Sequence, residues 1–224
     1  MNEPVVVVAA IFAFCYLIGA IPLGYLAGRL RGVDLRAQGS GNIGATNVGR
    51  VLGRPWGVGV FVLDVGKGLV PMLVSGAILG AHEVRWELAG SSRNLIWLAG
   101  GACCILGHNF PVYLKFRGGK GVATSLGVVL GVYPYLTMAG LAAFVVWLGV
   151  TLSTRYVSAG SVSAAIALPL LLAGGTLWGG YAVFADSWPL LGFSILAGGL
   201  VLYRHRENIS RLRAGTENKI GVRR

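Results

Sequence analysis

Residues 5–26, VVVVAAIFAFCYLIGAIPLGYL, contain no charged side chain. A helix needs about 20 mostly apolar residues to cross the hydrocarbon core of a bilayer, and this run exceeds that length. Similar runs follow along nearly the whole chain, separated by short polar segments. With 55% hydrophobic and 12% charged residues and a mean hydropathy of +0.71, too little polar surface remains to clothe a water-facing exterior. The chain reads as an all-α integral membrane protein with one polytopic domain over 1–224. Its opening MNEP offers no positive n-region and the first run exceeds a signal-peptide core, so the run is read as a retained span. Cys15, Cys103 and Cys104 all lie inside apolar runs, with neither the number nor the spacing of a metal site or disulfide framework, and read as small core residues.

The runs place spans at about 5–28, 57–81, 94–114, 121–135, 136–153, 160–181 and 188–203. The stretch 121–153 is either one long tilted helix or two short ones meeting at GVYPYLT, with Pro134 at the turn. Charge placement decides. Arg29, Arg31, Arg36, Arg50 and Arg54 follow the first span, Lys115, Arg117 and Lys120 follow the third, Arg155 follows the fifth, and the tail from 204 carries seven cations. Two helices put all of these on one side, leaving Arg85 and Arg93 opposite and Lys67 within a span. Since cytoplasmic loops carry the positive excess, the expectation is seven transmembrane helices, N-terminus outside and C-terminus cytoplasmic. Acidic Glu3, Glu83, Glu87 and Asp186 then face outward. The many glycines within spans read as sites of close helix packing.

Four polar segments share the cytoplasmic side: GSGNIGATNVGR (39–50), FRGGKGVATS (116–125), RYVSAGS (155–161) and HRENISRLRAGTENK (205–219). Each combines glycine, small hydroxyl or amide side chains, and cations. Glycine lets backbone N–H groups approach an anion; Ser, Thr and Asn add neutral hydrogen bonds, and Arg or Lys adds countercharge. Phosphate suits that chemistry best. Arg29, Arg31, Arg36, Arg223 and Arg224 read as orienting or lipid-touching cations, whereas Arg50 and Lys120 are embedded in glycine and hydroxyl residues. Gly39, Gly41 and Gly44 satisfy G-x-G-x-x-G, but a membrane helix rather than a strand precedes them, which excludes a dinucleotide fold. FRGGKGVATS is no Walker loop, because Lys120 is not followed by Ser or Thr. It reads as a glycine turn at a helix start, where an anion is favoured.

His205 and Asn208, three apart, face the same way on a helix leaving the last span. His205 is either a proton acceptor or an interfacial histidine bonded to a backbone carbonyl. His108 reads as structural and His82 as an inert residue of the outer face. Asp64 and Lys67 lie i, i+3 inside a span, where a charge costs about 2.5 to 3.5 kcal/mol, so they read as a mutual pair. Glu217 reads as an orienting partner of a nearby arginine. No carboxylate, His or Cys cluster has metal-ligand spacing, and no cofactor or nucleic-acid partner is expected. The chain also lacks a G-x-S-x-G elbow, and its nearest approach to H-x-x-x-x-D, His82 to Glu87, lies on the outer face. Positioning and electrostatics are what remains for catalysis.

SGNIGATNVGR (40–50), GGKGVATSLG (118–127) and HRENISRLRAGTENK (205–219) together resemble the three motifs, in order, of the bacterial acyl-phosphate:glycerol-3-phosphate acyltransferase family. The resemblance implies transfer of a fatty acyl group from acyl phosphate to the 1-hydroxyl of sn-glycerol 3-phosphate, giving lysophosphatidic acid and phosphate. It implies that Ser40, Asn42, Thr46 and Arg50 line a phosphate pocket completed by Gly118, Gly119 and Lys120. Ser158 matches a short hydroxyl-bearing loop, and His205 and Asn208 match substrate-contacting positions. Ser40, Arg50, Lys120, His205 and Asn208 are the expected catalytic set. A bacterial inner-membrane enzyme with its site at the cytoplasmic face is implied, with membrane lipids around it and a peripheral acyl-phosphate-producing enzyme upstream. The alternative is a transporter of a phosphorylated anionic solute, against which stands the clustering of the motifs on one face. A metal-dependent alcohol phosphotransferase would need several aspartates, and Asp64 has no such company.

Overall fold

Inside hydrocarbon every backbone N–H and C=O must be satisfied within the protein, so a lipid-crossing segment is driven into helix. The computed structural model describes residues 3–82, 90–178 and 188–221, and these contain helices, turns and no strand. Glu83, Arg85, Glu87, Asp186, Arg223, Arg224 and the side chain of His82 lie outside the described residues. The chain forms two compact units, 1–133 and 134–224. The first contains α1 (Glu3–Ala20), α2 (Leu23–Leu30), α3 (Ala45–Val51), α4 (Arg54–His82), α5 (Gly90–Asn109), a 3-10 turn (Val112–Leu114) and α6 (Val122–Gly131). The second contains α7 (Thr137–Thr154), α8 (Val157–Trp178), α9 (Trp188–Arg204) and α10 (Arg206–Arg213).

Each of the seven expected spans contains a helix where described, 121–153 forms two helices as expected, and the differences elsewhere are of detail. The first span is broken at Ile21–Pro22, because proline lacks an N–H and disfavours helix in the residue before it. The stretch 121–153 is two helices, with the break over 132–136 containing Pro134. α8 begins at Val157, so most of RYVSAGS is the first turns of a helix instead of a loop. Among the described residues five segments are long and apolar enough to cross a membrane: Glu3–Leu30, Arg54–Ala81, Ser92–Leu114, Thr137–Thr154 and Val157–Gly175. α6 and α9 are apolar but shorter. At 1.5 Å per residue, the ten residues of α6 extend about 15 Å, half of a hydrocarbon core.

Small residues let the helices of each unit meet backbone to backbone. α4 packs on α6 through Gly68 and Gly127, where an added Cβ would overlap the carbonyls of Thr124 and Val65 respectively. α1 meets α5 in the same way at Gly19 and Gly107. With lipid tails as apolar as leucine, such close contact is a main source of helix association in a bilayer. In the second unit α7 packs on α8, where Trp147 Nε1 donates to Ser161 Oγ at 3.3 Å, and α8 packs on α9. Met138, Leu152, Leu170 and Leu196 are exposed, as side chains covered by lipid rather than by protein would be.

Pro71 lies inside α4 and cannot donate to the carbonyl of Lys67. The Cys104 thiol of α5 donates to that carbonyl at 3.3 Å, so this buried cysteine repairs a proline-made gap. Thermal unfolding in lipid nanodiscs checks the packing account. Gly127→Ala is expected to lower the midpoint, whereas Gly149→Ala, with open space at its Cβ, should leave it unchanged or raise it slightly. Equal midpoints for the two variants would contradict the assigned contact.

Candidate active site

The loop before α3 is shaped from within by Asn47. Its amide is buried; Oδ1 accepts the Ser40 N–H at 2.8 Å, and Nδ2 donates to the carbonyls of Leu35 at 3.2 Å and Gln38 at 3.0 Å. Gly39 and Gly41 turn the chain in the left-handed region with φ of 61° and 69°. Asn42 Oδ1 accepts the Gly44 N–H at 2.8 Å, a local turn that leads into α3. That bond occupies the Asn42 carbonyl in loop shaping, leaving its amide N–H groups as the donors for a ligand. Ser40, Thr46 and Arg50 are exposed. Thr46 and Arg50 are four apart on α3 and so share one face. Arg31 and Arg36 lie over the rings of Trp56 and Tyr25 at 5.6 and 4.9 Å, and Arg36 pairs with Asp34 at 2.8 Å.

The second loop folds onto the end of α5. Gly118 N–H donates to the Asn109 carbonyl at 3.2 Å and Gly119 N–H to the His108 carbonyl at 3.1 Å. A Cβ on Gly118 would strike the His108 carbonyl, and one on Gly119 the His108 ring. What these glycines give the site is therefore close approach, since their N–H groups are used on α5. Gly121, with φ of 80°, caps α6. The first-turn N–H groups of Val122, Ala123 and Thr124 have no acceptor within the helix and carry the positive end of its dipole. Lys120 immediately precedes that turn. The Asn109 amide and Thr124 hydroxyl are buried beside it and make no hydrogen bond among the described residues, which keeps polar capacity at the start of α6.

In the second unit the organising group is Glu217, which is buried. Its Oε1 accepts from Ser158 Oγ at 3.0 Å and Asn208 Nδ2 at 2.7 Å; Oε2 accepts from Arg211 Nε at 2.7 Å. This carboxylate ties the tail to α8 and α10. The tail is held further by Ile220, whose N–H donates to the Arg155 carbonyl at 2.8 Å. Asn208 and Ser158 thus each spend one hydrogen on Glu217, and present their remaining atoms elsewhere. His205 lies between α9 and α10, so that α10 is a separate short helix. The His205 Nδ1 lies 2.8 Å from the Val201 carbonyl, which can only accept. The proton therefore sits on Nδ1, and Nε2 is the basic nitrogen of the neutral ring.

Asn47 and His108 adjoin the two loops in ways that sequence reasoning did not assign. Asn47 stood inside the first motif, but its role depends on where the Leu35 and Gln38 carbonyls fall. Among the described residues no cluster of His, Cys, Asp or Glu could hold a metal ion. Burial pushes the Glu217 carboxyl up, but the hydrogen bonds from Arg211, Asn208 and Ser158 and the Arg211 charge outweigh it and hold the group below the usual carboxylate range. Such a group stabilises the fold above its unfolded pKa of about 4.3, and the gain is lost as pH falls through the lower folded value. Glu217→Gln should therefore lower the thermal midpoint at pH 7, with the gap to wild type closing only below about pH 4.3. An unchanged midpoint at pH 7 would contradict the hub.

The chain is similar to known proteins over almost its whole length. The family model described as glycerol-3-phosphate acyltransferase matches residues 9–215. A glycerol-3-phosphate acyltransferase of Geobacter sulfurreducens is 44% identical over 209 residues, covering 92% of this chain and 94% of that protein. One from Aquifex aeolicus is 44% identical over 208 residues, covering 92% and 95%. Among solved structures, the crystal structure of PlsY, an integral membrane glycerol 3-phosphate acyltransferase, in its glycerol 3-phosphate form is 42% identical, with a TM-score of 0.78 and 96% of each chain covered. The lysophosphatidic acid form of PlsY gives a TM-score of 0.75 at 41% identity, with 96% and 95% covered. Helical membrane architecture, glycine-built loops and full-length similarity lead to one assignment: the chain belongs to the glycerol-3-phosphate acyltransferase family.

Proposed function

We propose that the chain is a single acyltransferase domain that moves a fatty acyl group from acyl phosphate to the 1-hydroxyl of sn-glycerol 3-phosphate. The products are 1-acyl-sn-glycerol 3-phosphate and inorganic phosphate, the first step of phospholipid synthesis. The observation that carries this reading is the pair of glycine-built loops in the first unit, one presenting Ser40, Thr46 and Arg50, the other placing Lys120 at the start of α6. Both are made for phosphate oxygens, and donor, acceptor and both products all bear phosphate. Similarity to a protein solved with glycerol 3-phosphate and with lysophosphatidic acid supports the acceptor and the product. The transporter alternative loses its footing once the chain belongs to an acyltransferase family.

An acyl phosphate is a mixed anhydride and already activated. The substrate hydroxyl oxygen attacks the acyl carbonyl, a new C–O ester bond forms, and the bond to the phosphate oxygen breaks, with no acyl-enzyme. Arg50 and Lys120 stabilise the departing phosphate and hold glycerol phosphate, with Asn42, Thr46 and the close approach allowed by Gly118 and Gly119 completing the phosphate contacts. Ser40 and backbone N–H groups of the first unit steady the oxyanion. In the second unit Ser158 and Asn208 are held together on Glu217. The hydroxyl proton passes to a phosphate oxygen of the substrate. The acyl chain lies between helices, open to the bilayer.

The reading includes seven crossings, with the N-terminus outside, the C-terminus in the cytoplasm and the motifs at the cytoplasmic face of a bacterial inner membrane. The positive charge of the four polar segments supports that sidedness. A peripheral enzyme that makes acyl phosphate then delivers the donor from the cytoplasm. Arg50→Ala, purified folded in nanodiscs, is expected to lose about 1,000-fold in kcat/KM with palmitoyl phosphate, as for a donor aimed at developing negative charge. Wild-type turnover in a folded Arg50→Ala protein would overturn the assignment of the phosphate site.

A further inference from the structure

The reaction as described leaves three buried titratable side chains of the first unit without a task. Lys67 Nζ lies 2.9 Å from Asp64 Oδ1 on α4, with side chains only 5% and 4% exposed. A mutual pair would satisfy both, yet each reaches a second partner. Lys67 Nζ also donates to the Ile21 carbonyl at 2.8 Å, at the bend where Pro22 separates α1 from α2. Asp64 Oδ1 lies 3.8 Å from His108 Nδ1, within ion-pair range though too long for a direct hydrogen bond. The opposite edge of the His108 ring, at Nε2, rests on Gly119 so closely that a Cβ there would collide with it. The His108 carbonyl meanwhile accepts the Gly119 N–H. Ile21, Pro22, Asp64, Lys67, His108 and Ile43 of the first loop line one narrow crevice along this row, too tight to hold a water molecule.

A contiguous row therefore runs from the α1–α2 bend through Lys67, Asp64 and His108 to the loop that carries Lys120. An apolar pair of similar volume would hold α4 in the membrane at no desolvation cost, so neutralisation alone gives no reason for two charges here. What the charges add is direction, because each fixes a polar partner at a set place. We infer that Lys67, Asp64 and His108 form a buried brace that sets the position of the Gly118–Gly121 loop and so of Lys120. The proposal deepens the acyltransferase reading and rests on it. The three are positioning residues that act through the loop and touch neither substrate nor reacting atoms. A displacement of about 1 Å at a group that holds a reacting phosphate is enough for a 100-fold loss of rate.

The test uses the full chain in nanodiscs, with steady-state kinetics on palmitoyl phosphate and glycerol 3-phosphate normalised to folded protein, and thermal midpoints measured alongside. His108→Ala is expected to keep its midpoint within about 3 °C while kcat/KM falls about 100-fold. His108→Gln, which refills the space over Gly119 and offers an amide, should regain about tenfold of that loss. The uncharged double variant Asp64→Asn with Lys67→Met should fold and be slowed to a similar degree. A purely structural role predicts the reverse, a lower midpoint with wild-type kcat/KM per folded molecule, and that result overturns the brace. If His108→Ala is not recovered folded, His108→Gln and the double variant decide by the same comparison; failure of all three to fold makes the cluster a folding element and also overturns it. An inert wild type would instead overturn the acyl-phosphate reading, and the brace with it, before any variant is compared.

Discussion

The bilayer's lack of water governs this molecule: a backbone group that leaves its helix inside hydrocarbon has nothing but protein to bond to. Three departures from helix in the first unit are accordingly repaired by named side chains. Pro71 deprives the Lys67 carbonyl of its helical partner, and the Cys104 thiol supplies one. At the Ile21–Pro22 bend the Ile21 carbonyl receives Lys67 Nζ. The loop after α2, which has no regular structure of its own, is closed around the Asn47 amide. Irregular backbone also suits a phosphate site, because there, as at a helix N-terminus, N–H groups can turn toward a ligand.

Glycine serves two ends in this arrangement, and they are physically different. In the spans it removes a side chain so that α1 meets α5 and α4 meets α6 at backbone distance. In the loops Gly39, Gly41 and Gly121 supply left-handed turns, while Gly118 and Gly119 let the chain lie against α5. α6 belongs to both descriptions, since its N-terminal turn carries the anion-favouring N–H groups and its Gly127 face anchors on α4. Packing of α6 and placement of Lys120 are consequently one problem. In the second unit a single carboxylate, Glu217, does the corresponding job of holding Ser158, Asn208 and Arg211 together.

Much of this was legible in the sequence because it rests on local rules. Apolar runs became helices, Pro134 marked a break, a glycine turn preceded α6, and Glu217 found an arginine. What was hidden depended on distances across the fold. Ser158 was read in a loop but sits on the first turn of α8, because Val157 begins a helix despite the polar composition. The first span was read as continuous, although Pro22 breaks it. Gly118 and Gly119 were read as part of a phosphate pocket, and no spacing rule shows that their N–H groups are spent on the carbonyls of Asn109 and His108. Nor does any local pattern bring His108, eleven residues upstream, onto Gly119.

The central claim is that these loops serve phosphate on both substrates, so that the acyl donor itself must carry one. Its most direct test is turnover of the purified protein in nanodiscs with glycerol 3-phosphate and either palmitoyl phosphate or palmitoyl-CoA, following the lipid product by mass and the release of inorganic phosphate. The account predicts lysophosphatidic acid from palmitoyl phosphate, with one phosphate released per product and none formed from the thioester. Product from palmitoyl-CoA alone, with palmitoyl phosphate inert, would contradict it.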